Sequence, residues 1–170
     1  MTHAEPLDWS TVYWDFLPRI YNFVLYKVGD PTLAEDLTST TFVEVWRCRQ
    51  RYSATKGALS TWIFTIAQRV VITHYRQRRS HELPLFDAAH LPNATVVADV
   101  VEKKEAIGEL VGQLRQLPDR DHDLVALKYG AQLNNRQIAQ LLGLSESCVG
   151  TRLHRIIGRL RSVLGVDHNV

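Results

Sequence analysis

The chain offers little sulfur chemistry. Its 170 residues include two cysteines, Cys48 and Cys148, and one methionine. There is no CxxC pair and no close Cys/His cluster, which argues against a structural zinc site. Two isolated cysteines fit a reducing compartment better than a disulfide framework. No apolar run has the length needed to span a bilayer, and the opening MTHAEPLDW lacks a signal-peptide core. The sequence therefore reads as cytoplasmic and without a membrane span. No glycine-rich phosphate loop and no Ser/His/Asp or paired-carboxylate constellation stands out, so neither an enzyme nor a cofactor is expected. Strand-like alternation and internal repeats are missing too. What remains is an ordinary globular composition, 45% hydrophobic and 22% charged, arranged almost throughout at helical spacing.

The formal net charge of +2 hides an uneven distribution. Residues 1–79 carry 10 Lys/Arg and 7 Asp/Glu, and residues 102–170 carry 10 and 8. Between them, residues 80–101 carry no Lys or Arg and three acids, Glu82, Asp87 and Asp99. That stretch also holds Pro84 and Pro92 and has no sustained helical period, so it reads as an extended linker. The expected organisation is all-α. It has an N-terminal domain over 8–79, a linker over 80–101 and a C-terminal domain over 102–165.

In the first block Trp9, Val12, Tyr13, Phe16, Ile20, Phe23, Val24 and Val28 follow helical spacing, with Pro18 expected to kink or restart the helix. Gly29-Asp30-Pro31 reads as a stop, a cap and a start. The helix that follows runs to about Arg51, with Leu37, Phe42, Val45 and Trp46 as its apolar positions. Tyr52 to Ser60 reads as a loop. A third helix, from about Thr61 to Arg79, has Trp62, Ile63, Ile66, Ala67 and Val70 as its apolar set and ends in HYRQRR. Aromatics and arginines on one helix can track a nucleic-acid backbone. A packed core tryptophan and a basic helix end are the plainer reading. Beyond the linker, one helix is expected over Glu102–Leu117 and another over Asp119–Tyr129.

The segment from Asn134 to Leu164, NNRQIAQLLGLSESCVGTRLHRIIGRLRSVL, has a helix-turn-helix pattern. Ile138, Ala139 and Leu142 form a short apolar stripe, Gly143 breaks the helix and Ser145 can cap the next. Val149, Leu153, Ile156, Leu160 and Leu164 mark one buried face. The other side carries Ser147, Thr151, His154, Arg155 and Arg159. A helix so placed can enter a DNA major groove, with its first residues at base edges and its arginines on phosphates. An ordinary packed helix pair is the plainer alternative. Cys148, in the first turn, reads as a small residue packed under the turn, with redox reactivity as the alternative.

The order of these motifs resembles an extracytoplasmic-function sigma factor of bacterial RNA polymerase. The residues that carry the resemblance are AEDLTSTTF (34–42), VEVW, a loop, TWIFTIAQRVVITHYRQRR (61–79), a linker, and LPDRDHDLVALKYGAQLNNRQIAQLLGLSESCVGTRLHRIIGRLRSVL (117–164). The resemblance implies that Glu35, Asp36, Leu37 and Phe42 lie on the helix that docks on core RNA polymerase. It implies that Lys56, Trp62, Arg69, Thr73, Arg76, Arg78 and Arg79 open and hold the −10 element of promoter DNA. It implies that Arg136, Ser147, Thr151, Arg152, His154, Arg155 and Arg159 read the −35 element. An anti-sigma factor is an implied partner, and the free chain is expected to be a monomer. The sequence departs from the family pattern at Ser39 and Thr40, where Gln and Glu are frequent, and at Arg69 and Thr73, where Asn and Asp are frequent. Cys148 and Gly150 replace a frequent Thr and Lys, and Gly150 costs about 1 kcal/mol of helix propensity relative to Ala. Two other readings stay open. One is a dimeric helix-turn-helix regulator, and the other is a sigma-like protein that occupies polymerase without initiating.

Overall fold

Asp8 starts the first helix. Its carboxylate accepts from Ser10 N at 3.0 Å and from Thr11 Oγ1 at 2.6 Å, which satisfies a donor the first turn leaves unpaired. The computed structural model describes residues 7–81, 109–110 and 112–165. Helix α1 spans Trp9–Val28 and buries Val12, Phe16, Ile20, Phe23 and Val24. Of the kink or restart expected at Pro18, the restart does not occur: the proline lies inside a single continuous helix. Proline withholds one N–H from the carbonyl four residues earlier. Here that residue is Trp14, which is 68% exposed, so water can reach the unpaired carbonyl. Buried Phe16 and Ile20 pin the helix on both sides of the proline.

Gly29 closes α1 in the left-handed region, φ +69°, with its N–H on Leu25 O. Asp30 then caps α2, Pro31–Cys48, by accepting from Thr32 N and Leu33 N. A 3₁₀ turn, Arg49–Arg51, follows. Helix α3, Leu59–His81, is two residues longer at each end than the sequence period suggests. It inserts Ile63, Phe64, Ile66, Ala67, Val70 and Val71 between α1 and α2. The Phe64 ring meets Phe16 at 6.3 Å and Phe23 at 5.7 Å, tilted and edge-on. Burial of this aromatic trio anchors the N-terminal domain.

Helix α4 spans Asp119–Val125 and is entered through Leu117-Pro118. The single helix expected to Tyr129 instead widens into a π-helical turn, Ala126–Gly130. Helices α5, Asn135–Leu142, and α6, Glu146–Val163, complete the chain. The helix expected over 102–117 is described only from residue 109, with helical backbone at 112–115. The expected linker lies outside the described residues, apart from Ser80 and His81, which belong to α3. Every regular element among the described residues is helical.

The two domains are in direct contact. A methyl group on Gly130 would lie 2.9 Å from both Cα and N of Phe23 and 3.0 Å from Asn22 O, so the π-helical turn lies against the backbone of α1. Polar bonds surround this contact. Arg19 Nε donates to Ala131 O at 2.8 Å, with its guanidinium over the Phe16 and Phe64 rings. Lys27 Nζ meets Asp123 Oδ1 at 2.5 Å, and His122 Nε2 lies 2.6 Å from Tyr26 O. Farther along, Gln137 Nε2 donates to Ser60 Oγ at 2.8 Å.

Burial, and then the charge of Lys27, pushes the His122 imidazole below its ordinary value of 6.5. The neutral ring can donate Nε2–H to the Tyr26 carbonyl. The groups around it are Lys27 on α1, Asp119 and Asp123 on α4, and Tyr75, Arg76 and Arg79 on α3. A depressed folded-state value means that the unfolded chain binds the proton more readily. The contribution of His122 to stability is therefore complete above pH 6.5 and is lost as pH falls through the folded-state value. Urea midpoints should drop between about pH 7.5 and about pH 5.5, and His122→Gln should flatten that drop. An identical pH profile in the variant would show that His122 does not carry the effect.

Candidate nucleic-acid interface

The helix-turn-helix is set by caps at both starts. Asn134 accepts from Gln137 N at 2.9 Å, and Gln137 Oε1 accepts from Asn134 N at 3.0 Å, a reciprocal capping box. Gly143 ends α5 at φ +65°, and Leu144 N returns to Ala139 O. Ser145 Oγ accepts from Cys148 N at 3.1 Å and starts α6. The face expected to be buried is so at Val149, Leu153, Ile156 and Leu160, while Leu164 is half-buried. Ser147, Thr151, His154, Arg155 and Arg159 are exposed on α6, and Arg136 is exposed on α5. Arg152 is placed differently. Its Nε and Nη2 both donate to Asp121 Oδ1, at 3.2 and 2.7 Å. It ties the recognition helix to α4 instead of projecting freely from it. Cys148 is half-buried.

The second basic surface lies on α3. Arg69, Thr73 and Arg76 are exposed at spacings of four and three residues, which places them on one helical face. Arg78 and Arg79 are exposed at its end. Lys56 is exposed in the turn before α3, where its N–H bonds Ser53 O. Trp62 sits lower, half-buried between Trp9 at 6.2 Å and Tyr52 at 5.3 Å. It thus fastens the loop, and the Tyr52 hydroxyl donates across the loop to Gly57 O at 3.4 Å.

A third surface is formed by α2 and the adjoining part of α1. Glu35 and Asp36 are exposed there. Leu37 is buried in the core, and Phe42 is half-buried, its ring 4.5 Å from that of Tyr13. Trp46 corrects its assignment to the apolar set. It is 54% exposed and carries the Arg49 guanidinium 3.8 Å from its ring centroid. Asp36, Ser39, Val43 and Trp46, all exposed, fall three or four residues apart on one outward face. On α1 Trp14 is also exposed, its ring 5.1 Å from that of Tyr13. Among the described residues no group of three or more His, Cys, Asp or Glu is placed to hold a metal ion, and no helix is long and apolar enough to cross a membrane.

Residues 12–81 match the family model for sigma-70 region 2, and residues 107–160 match that for sigma-70, region 4. The chain belongs to the extracytoplasmic-function sigma factors of RNA polymerase. Curated relatives bear that description. The ECF RNA polymerase sigma factor SigK of Mycobacterium ulcerans (strain Agy99) is 29% identical over 149 residues, covering 86% of this chain and 80% of the relative. SigM of Bacillus subtilis (strain 168) is 28% identical over 156 residues, covering 89% and 92%. Among solved structures, the sigma factor RpoE of Bartonella quintana, in complex with the anti-sigma factor NepR, shares the fold. Its TM-score is 0.72 at 20% identity, covering 95% of this chain and 99% of that one. Sigma factors are a non-enzymatic family. In this sigma factor region 2 comprises α1 to α3, and region 4 contains α4 to α6.

Sequence periodicity did not disclose the residues that join the two regions. Arg19, Lys27, His122 and Asp123 become significant only in the folded chain. One sign was present: Arg19 falls three residues after Phe16 and four before Phe23, a cation on the apolar side of α1. Arg152→Ala should lower stability by about 1–2 kcal/mol, because it removes a partly buried charge-assisted pair. It should leave the salt dependence of DNA binding unchanged. A salt slope reduced by about one would instead assign Arg152 to a phosphate.

Proposed function

We propose that this sigma factor docks on core RNA polymerase through the outward face of α2, holds −10 promoter DNA along α3, and reads −35 DNA with α6. The observation that carries this reading is the pairing, in one chain, of a capped helix-turn-helix with a second basic helical face. Arg136, Arg155 and Arg159 on the first and Arg69, Arg76, Arg78 and Arg79 on the second are exposed, and the acidic and aromatic face of α2 lies on a different helix from both. On α2 the contacts are Glu35, Asp36 and the neighbouring Val43 and Trp46. Leu37 supports them from below, and Phe42 shapes the edge. On the −10 side Arg69, Arg76, Arg78 and Arg79 follow the backbone of the opened strand, with Thr73 between them and Lys56 at the loop. Trp62 holds the loop that would receive an unstacked base. On the −35 side Ser147 and Thr151, at the start of α6, meet base edges. His154, Arg155, Arg159 and Arg136 meet phosphates, and Arg152 keeps the helix in register.

The chain acts as a monomer in the cytoplasm, where the polymerase works, and an anti-sigma factor is its regulatory partner. Two solved structures that share this fold are complexes, the sigma factor RpoE with the anti-sigma factor NepR and CnrH with the cytosolic domain of CnrY. Run-off transcription with purified core enzyme tests the whole reading. Promoter-specific transcripts are expected, and core binding without transcripts would favour the non-initiating alternative. Sequence-specific DNA binding by a dimer that ignores polymerase would favour the regulator.

Two variants test the assignment of surfaces. Asp36→Arg should weaken core binding without changing the fold, and unchanged affinity would assign α2 a structural role only. Arg155→Ala should weaken binding to every −35 sequence and reduce its salt dependence. Substitution of Ser147 or Thr151 should instead change which sequence is preferred, by about 1–3 kcal/mol per lost base contact. A library of −35 variants measured at two salt concentrations separates these outcomes. Equal shifts across all sequences for Ser147 and Thr151 would remove α6 as the base reader.

A further inference from the structure

Under the reading of α2 as the polymerase-docking helix, on which this inference rests, the neighbouring part of α1 has no task. Phe42 and Trp46 lie four residues apart on α2 and so stand on the same flank. That flank faces α1, because the Phe42 ring packs tilted against Tyr13 with centroids 4.5 Å apart. The Tyr13 ring in turn meets Trp14 edge-on at 5.1 Å. Trp46, Phe42, Tyr13 and Trp14 therefore form one row of rings that begins on α2 and ends on α1. Phe42 is half-buried and the other three are exposed, Trp14 more than any other large apolar side chain among the described residues. Pro18, one turn beyond Trp14, is exposed too and continues the strip along α1. Single apolar residues scattered over a surface are ordinary, but a contiguous run of rings marks a surface that a partner covers.

We propose that core polymerase covers this row as well as the outward face of α2, and that the Trp14 indole is the anchor of a second contact on α1. Continuity decides the occupant. Trp46 belongs both to the row and to the outward face that carries Asp36, Ser39 and Val43. Whatever lies along that face from Asp36 to Trp46, about 15 Å of helix, has already reached the first ring of the row. Helices packed side by side have axes about 8–10 Å apart, and a helix with its side chains is about 10–12 Å across. One helical element of the polymerase laid on α2 is therefore wide enough to reach α1. The surface it turns towards Trp14 is apolar, to match the indole. Tryptophan is among the side chains that carry most binding energy at interfaces, because it removes a large rigid apolar area from water. The face of α2 has need of such an anchor. Ser39 and Thr40, both exposed, offer short hydroxyls where longer polar side chains are frequent in the family. Contact area that these two do not supply is available one helix away.

The test measures the affinity of purified core enzyme for the full-length wild type, Trp14→Ala, Trp14→Phe and Asp36→Arg at two salt concentrations. Trp14→Ala should weaken core binding about tenfold or more. The factor should be the same at both salt concentrations, because apolar contact is not screened, whereas the loss in Asp36→Arg should shrink as salt rises. Trp14→Phe should recover part of the affinity. Since the indole is exposed, the thermal midpoint of Trp14→Ala should equal that of the wild type. A loss of affinity accompanied by a lowered midpoint overturns the proposal, because the indole would then serve the fold. Core affinity unchanged in Trp14→Ala but reduced in Asp36→Arg confines the dock to α2 and overturns this inference alone. Unchanged affinity in both variants refutes the α2 reading as well. Sedimentation of the free proteins covers the remaining occupant. A wild-type dimer that Trp14→Ala dissociates, with core affinity unaltered, would give the row to a second copy of the chain and overturn the polymerase contact.

Discussion

The approach of two backbones at Gly130 and Phe23 sets the geometry on which the other contacts between the regions depend. Side chains that meet can change rotamer, and their contact tolerates displacement. Backbones in contact have no such freedom, and interiors at native density pass strain on to their neighbours. With the π-helical turn seated on α1, Arg19 reaches Ala131 O, Lys27 reaches Asp123, and His122 reaches Tyr26 O, each at hydrogen-bond distance. Each bond alone is partly exposed and modest. Together they act on one surface whose apolar centre includes Phe23, Leu124, Leu127 and Ala131, all fully buried. Helix α1 therefore belongs to two packing arrangements, as a wall of the region 2 core and as the seat of region 4.

The arginines of α6 divide by helical phase. Leu153 and Ile156 face inward, and Arg152, one position before Leu153, is carried about 100° round the helix toward α4 and Asp121. Arg155 and Arg159 lie on the solvent side. One residue type thus performs two tasks in a single helix, and the distance to an acid on the neighbouring helix decides which. The same reasoning separates Leu37 from Asp36 on α2. Adjacent in sequence, they point respectively into the core and out to solvent.

Much of the fold could be read from the chain itself, because its signals were local. Gly29, Asp30 and Pro31 mark a helix boundary by backbone chemistry alone, and Asn134, Gly143 and Ser145 do so for the helix-turn-helix. The buried face of α6 followed from a period of 3.6 over four turns. Three features were not legible, each for a stated reason. Pro18 is tolerated because the carbonyl it leaves unpaired belongs to an exposed residue, and solvent access is a tertiary property. Trp46 turns outward because α2 packs through Ala34, Leu37, Thr41 and Val45, so a large apolar residue is left on the other face. The contact between the regions depends on a glycine that has neither positive φ nor turn chemistry to mark it. Its importance comes from Phe23, more than a hundred positions away in the chain.

Gln137 carries a consequence of its own. Its amide oxygen completes the cap of α5, and its amide nitrogen reaches Ser60 on α3. One planar group thus joins the start of the helix-turn-helix to the start of α3. An exchange to glutamate would preserve the acceptor and so the cap, but would remove the donor. An exchange to leucine would remove both. The position therefore separates two properties that other residues of the motif keep together: how well the helix begins, and how firmly it stays where it begins.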